Sequence, residues 1–217
     1  MFRQDAIFDD RTAAGRLLAD AVAARGFDDP IVYALPRGGV PLAVEVARRL
    51  KAPIDLVLVR KLGAPGQPEL AVGAIVDGDA PLTVLNEDVA GCTGASKAYL
   101  DAAKAEALAE IERRRKVYLA GRPRPDPHGR TVILVDDGLA TGATARAAAA
   151  SLRAQGASRI VIAAPVAPPD VAKIMRGECD DLIVLEEPEP FWGVGAFYRT
   201  FDQVSDDQVV ALLSAAD

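Results

Sequence analysis

Two adjacent carboxylates, Asp136 and Asp137, close a run of four apolar residues, Val132 to Val135. A turn of small residues and hydroxyls follows: Gly138, Leu139, Ala140, Thr141, Gly142, Ala143 and Thr144. An alanine-rich helix begins there, with Thr141 placed to cap it. Free backbone N–H groups and the helix dipole at such a start suit a phosphate. The carboxylates repel a phosphate, but they can accept hydrogen bonds from a diol or hold a divalent cation. Phosphate beside diol describes a ribose 5-phosphate. A second unit of this kind is Pro36-Arg37-Gly38-Gly39, which ends the apolar run Ile31 to Leu35. Paired glycines permit close backbone approach, and Arg37 offers a fork of donors that matches phosphate oxygens.

The stretch VILVDDGLATGAT resembles the phosphoribosyl diphosphate (PRPP) motif of the type I phosphoribosyltransferases. The resemblance implies that Asp136 and Asp137 hold the ribose 2′- and 3′-hydroxyls and help hold Mg2+, directly or through water. It also implies that Gly138 and Ala140 to Thr144 wrap the 5′-phosphate. Arg37, Gly38 and Gly39 then form the pyrophosphate loop. Arg60-Lys61-Leu62-Gly63-Ala64-Pro65-Gly66 is similar to the opening of the lid in adenine phosphoribosyltransferases, and the lid would span about 61–91. Arg60 and Lys61 would serve the pyrophosphate, with Arg37 and Lys61 counted beside the two aspartates as catalytic. Glu69 and Asp77 are the acid/base candidates on the lid. A solvated hairpin with edge cations is the ordinary alternative.

Four of the eleven Phe, Tyr and Trp residues fall between Phe191 and Tyr198, on a glycine-interrupted loop. Aromatic faces stack on heterocycles. The segment is similar to the hood of the hypoxanthine-guanine branch (here about 187–203). That match puts Trp192 over the base, with Phe191 as the alternative, and leaves open an aromatic core role. Two departures bear on the acceptor. Ala140 stands where that branch has an aspartate, and Arg199 falls near its acidic hood position. The implied reaction is transfer of 5-phosphoribose from PRPP to a purine-like nitrogen heterocycle, releasing pyrophosphate. A non-catalytic sensor of PRPP or a nucleotide is the alternative, although no DNA-binding appendage is visible.

The elements that position these residues follow a β-α-β-α alternation. It predicts an α/β fold with a parallel sheet, helices on both faces, and ligands at the carboxyl ends of the strands. Helices are expected over Arg11 to Arg25, Val40 to Leu50, about Ser96 to Leu119, Ala143 to Gln155, Val171 to Arg176 and Asp206 to Ala215. Strands are expected over Ile31 to Leu35, Ile54 to Val59, Ile160 to Val166 and Leu182 to Leu185, with weaker β runs at Ala71 to Val76 and Leu82 to Leu85. The segment after Lys61, rich in Gly and Pro, is not expected to be helix or central strand. Arg113 to Lys116 read as a solvated helix end.

The 217 residues, half of them hydrophobic, fit one domain, 1–217. A net charge of −6 and a pI near 4.9, without a large basic patch, argue against nucleic-acid partners. Cys92 and Cys179 match no disulfide or zinc pattern, and His128 has no visible catalytic partners. The start lacks an apolar signal region and no run suits a membrane span, so a cytoplasmic location is expected. Self-association as a homo-oligomer is left open.

Overall fold

Val132 to Val135 form the central strand of the fold. The computed structural model describes residues 6–78, 81–119 and 121–216, with the backbone alone at Glu69. In chain order the elements are α1 (Arg11–Ala23), β1 (Ile31–Ala34), α2 (Val40–Leu50), β2 (Ile54–Leu56), β3 (Val59–Ala64), β4 (Gln67–Val76) and β5 (Leu82–Leu85). There follow α3 (Glu87–Cys92), α4 (Lys97–Tyr118), β6 (Thr131–Val135), α5 (Ala143–Ala154), β7 (Arg159–Val166), α6 (Pro169–Met175), β8 (Asp181–Glu186), a 3-10 turn (Val194–Phe197) and α7 (Asp206–Ser214).

Five parallel strands in the order β2-β1-β6-β7-β8 make the main sheet. Alternation assigns their side chains to two cores. Val32, Ala34, Ile133, Val135, Val161 and Ala163 pack with α1, α2 and α7. Ile31, Tyr33, Val132, Leu134, Ile160 and Ile162 pack with α5 and α6. The strands are therefore buried on both faces, which is why they read as continuous apolar runs.

The Gly- and Pro-rich start of the next segment, expected to be neither helix nor central strand, supplies β3 and the first residues of β4 in a second, antiparallel sheet of order β3-β4-β5. The expected β runs at Ala71 to Val76 and Leu82 to Leu85 are the rest of β4 and β5. Pro65 and Gly66 make the tight turn, with Gly66 at φ +71°. Pro68 sits at the start of β4, before the stretch that β5 pairs, so its missing N–H breaks no central ladder. The register shifts around Gly63, where a Cβ would meet the Pro68 backbone at 2.6 Å. One face of this sheet, with Leu62, Val72 and Ile75, packs on Ala107 and Ile111 of α4. The other, with Val59, Ala74 and Val76, faces α5.

Arg115 corrects the reading of the α4 end as solvated. Its guanidinium turns inward to Asp77 at 2.8 Å and Asp55 at 3.5 Å, and Arg124 joins them at 3.1 Å from Asp77. Burial pushes the Asp55 carboxyl up, against the pull of Arg115. This ion cluster fastens the base of the small sheet to β2 and α4. No helix among the described residues is long and apolar enough to cross a membrane.

Candidate active site

β1 and β6 are neighbours in the sheet, so the two glycine turns emerge side by side at its carboxyl edge. They touch each other there. A Cβ on Gly39 would lie 2.5 Å from the Val135 carbonyl oxygen and 3.1 Å from the Asp136 Cα. One on Gly38 would collide with Asp137 Oδ2. Only glycine lets the 36–39 loop come this close to the acidic pair. The Pro36–Arg37 peptide is cis. On the other side of the pair, a Cβ on Gly138 would meet Val194 at 2.6 Å, which places the 187–203 segment against the same turn.

The two carboxylates differ. Asp136 keeps some exposed surface, and its Oδ1 accepts from the Asp137 N–H at 2.9 Å. Desolvation, and then repulsion from Asp137, hold its carboxyl well above the usual carboxylate range. Asp137 is also pushed up by desolvation, offset by a 2.9 Å hydrogen bond from Arg11 Nε. The hydroxyl of Tyr198 donates to the Asp137 carbonyl at 2.6 Å, and burial raises the pKa of that phenol. Sequence reasoning missed Arg11 and Tyr198, because both reach the pair only through the tertiary fold.

In the 138–144 turn, Gly142 rather than Thr141 is the N-cap of α5, with φ +69°. The Thr141 hydroxyl accepts from the Ala143 N–H at a long 3.4 Å. The first turn of α5 still presents backbone N–H groups that the helix cannot satisfy itself. Ala140, Thr141 and Ala143 are exposed, as an anion-binding turn requires.

Arg37 is partly exposed and rests 3.4 Å from Asp206, which also accepts from the Tyr118 hydroxyl at 2.6 Å. The Tyr118 bond, and then Arg37, draw the Asp206 carboxyl below its usual value. Lys61 lines a cleft of about 550 Å3 between β3–β5 and α5, together with Ala143, Thr144 and Arg146. By the pleat of β3, Arg60 lies on the opposite face, toward α4. Arg60 and Lys61 therefore point away from each other. Asp77 is 7% exposed and held by two guanidinium groups, an arrangement suited to fixing structure rather than to exchanging protons. The Glu69 side chain lies outside the described residues.

In the hood segment the two aromatic candidates separate. Phe191 packs against Phe197, ring centroids 5.0 Å apart, at the edge of the core. Trp192 is 78% exposed beside Gly193, whose φ is +132°. Arg199 is also exposed, 3.3 Å from Asp9.

Asp136 and Asp137 are the oxygen donors a divalent cation would meet here. Among the described residues, no group of three or more His, Cys, Asp or Glu forms a closed metal site. Mg2+ is commonly held by one or two carboxylates plus substrate phosphates, and this pair fits that pattern.

Comparison with known proteins identifies the family. A family model described as the phosphoribosyl transferase domain matches residues 4–196. Two Mycobacterium tuberculosis proteins, from strains CDC 1551 and H37Rv, carry a provisional phosphoribosyl transferase name. Each is 47% identical over 210 residues, which cover 97% of this chain and 47% of theirs. The chain thus spans about half the length of the curated relatives it matches. The crystal structure of TT1426 from Thermus thermophilus superposes with a TM-score of 0.81 at 42% identity, covering 95% of this chain and 97% of that one. With paired glycine turns around an acidic strand end, and a family match over most of its length, this chain belongs to the phosphoribosyl transferase domain family.

Proposed function

We propose that the protein transfers 5-phosphoribose from PRPP to a nitrogen heterocycle and releases pyrophosphate. The observation that carries this reading is the contact of the two loops: Gly38 and Gly39 pressed onto Asp136 and Asp137, beside the start of α5. A pyrophosphate on the first loop, a ribose diol at the carboxylates and a 5′-phosphate on the second loop are then contiguous, as they are in PRPP.

In the reaction a ring nitrogen bonds to the anomeric carbon as its bond to the pyrophosphate oxygen breaks. Arg37 and the Gly38–Gly39 backbone stabilise charge on the leaving oxygens. The long Arg37–Asp206 contact is one that a pyrophosphate oxygen can replace. Residues 138–144 hold the 5′-phosphate through backbone N–H groups. Asp136 orients the ribose hydroxyls, and its negative charge favours an oxocarbenium-like transition state. Asp136 and Asp137 would hold Mg2+, which when bound adds positive charge at the pyrophosphate. The small sheet acts as the lid over this cleft, and Lys61 is the cation on the face that can reach the phosphates.

The exposed Trp192 covers the acceptor ring. Truncating it to alanine weakens acceptor binding by about 1–3 kcal/mol, the worth of one stacked base. PRPP affinity and melting temperature stay near wild type, because the indole packs on little else. An unchanged acceptor KM in this variant would return the stacking role to Phe191.

Ala140 provides no carboxylate toward the base, so selectivity must come from other hydrogen bonds to the ring edge. We expect 6-oxopurines to be poor acceptors, and an amino-bearing purine or another heterocycle to do better. The test is a panel of heterocycles incubated with PRPP and Mg2+, read by mass spectrometry for the ribonucleotide. Efficient conversion of hypoxanthine or guanine would overturn the selectivity. PRPP binding without conversion of any acceptor would favour a sensor.

A further inference from the structure

Arg11 lies 126 positions from Asp137 in sequence, yet its side chain is only 11% exposed and three groups hold it. Its Nε donates to Asp137 Oδ2 at 2.9 Å. Its Nη1 donates to the Asp202 carbonyl at 2.7 Å. Its guanidinium carbon sits 3.8 Å from the centre of the Phe201 ring. Asp202 and Phe201 belong to the hood, so one side chain spans the acidic pair and the acceptor side.

The neighbouring backbone makes this placement firm. The Ile7 and Phe8 N–H groups both donate to the Phe197 carbonyl at 3.0 Å. Arg199 and Thr200 donate back to Phe8 and Asp9 at 2.8 and 2.9 Å. Asp10 then caps α1 by accepting from the Ala13 N–H at 2.7 Å. The start of α1 is thus laced to the hood before Arg11 reaches inward. Asp137 Oδ2, the oxygen Arg11 holds, is also the atom crowded against Gly38. Asp137 cannot turn toward a substrate without leaving Arg11, whereas among the described residues no long-range partner fixes Asp136 in the same way.

We propose that Arg11 is a positioning residue. It locks the Asp137 carboxylate against the Gly38 backbone and couples it to the hood, which leaves Asp136 to take the ribose hydroxyls. The substrate half of this inference rests on the PRPP reading above; the link from Arg11 through Asp137 to the hood does not.

The test is a pair of double-mutant cycles on full-length protein. Arg11→Met keeps an apolar stem against Phe201 but removes the charge and donors. Alone it strands a carboxylate and costs stability, so Arg11→Met/Asp137→Asn supplies a neutral corner. Calorimetry with Mg–PRPP should show Arg11→Met weakening binding by about tenfold, within the range of couplings between contacting groups. Asp137→Asn should cost less affinity in the Arg11→Met background than in the wild-type protein, because the two share one contact, while Asp136→Asn should cost the same in both. Arg11→Lys keeps a cation near Asp137 and should regain most of the affinity. It cannot fork to Asp202, so amide hydrogen exchange over 198–202 should quicken in both Arg11 variants. Losses that multiply with Asp137→Asn would overturn the inference, and so would unchanged exchange in the hood. If wild-type protein binds no PRPP, the functional reading falls, and the exchange measured in the same variants without ligand still decides the Arg11 link.

Discussion

Asp136→Asn raises the melting temperature of the ligand-free protein and removes most of its affinity for PRPP. The stability gain follows from the electrostatics of the pair. Desolvation and Asp137 push the Asp136 carboxyl well above its ordinary value. Between that ordinary value and the raised one, the folded protein holds a proton that the unfolded chain has released. Stability therefore falls as pH rises through this window, and above it the folded state carries the full cost of the charge. Asparagine removes the charge and keeps an oxygen to accept the Asp137 N–H. Each kcal/mol so relieved is worth about 2–4 °C in a chain of this size. The gain should grow as the pH rises through the window and shrink as the medium is acidified through it. The affinity loss follows from the lost charge-assisted bonds to the ribose hydroxyls, about 1.5–3 kcal/mol, or roughly ten- to 150-fold in Kd. Thermal melts at several pH values and PRPP calorimetry on the same samples measure both. A variant that melts lower than wild type at neutral pH would contradict the electrostatic account.

Gly39→Ala has the largest expected effect on the fold. Gly39 has φ −72° and ψ −16°, angles alanine adopts without strain, so conformation is not the obstacle. The obstacle is space. The added methyl would lie 2.5 Å from the Val135 carbonyl oxygen and 2.8 Å from that of Leu35. Both atoms belong to the ends of central strands and cannot rotate away. Overpacking of this kind costs about 1–3 kcal/mol, equivalent to a fall of roughly 2–12 °C. Because the methyl also presses on the Asp136 Cα, PRPP affinity should fall with it. Gly91→Ala is the control, since a Cβ there meets nothing within 4 Å and the residue sits in α3. It should leave the melting temperature unchanged or slightly raised. A Gly39→Ala protein as stable as this control would mean that the two loops are not in contact.

The parts of this site that are legible in the sequence are those set by short stretches of chain. Apolar runs mark β1, β6 and β7, because strands covered on both faces need no alternation. Asp136, Asp137 and the two glycine turns stand out by composition. The reason for Gly38 and Gly39 does not, since it depends on β1 and β6 being neighbours. In sequence Arg11 is the first residue of a surface helix, and nothing local distinguishes it from Arg16 or Arg25. Arg115 is hidden in a run of four cations, and only the fold separates it from Arg113 and Arg114, which pair on the surface with Glu110. The strands β3 and β4 are obscured by Pro65 and Pro68, whose damage to pairing is confined to a turn and to an unpaired edge. Phe191 and Trp192 are equivalent by type, and burial separates them.

The central claim is that the 36–39 loop, the acidic pair and the 138–144 turn form one continuous binding site for PRPP. Titration of the wild-type protein with PRPP in the presence of Mg2+, followed by calorimetry, tests it most directly. The account predicts saturable one-to-one binding, with ribose 5-phosphate and pyrophosphate each competing, since each occupies part of the site. Absence of binding by folded wild-type protein, or binding that neither fragment displaces, would contradict it.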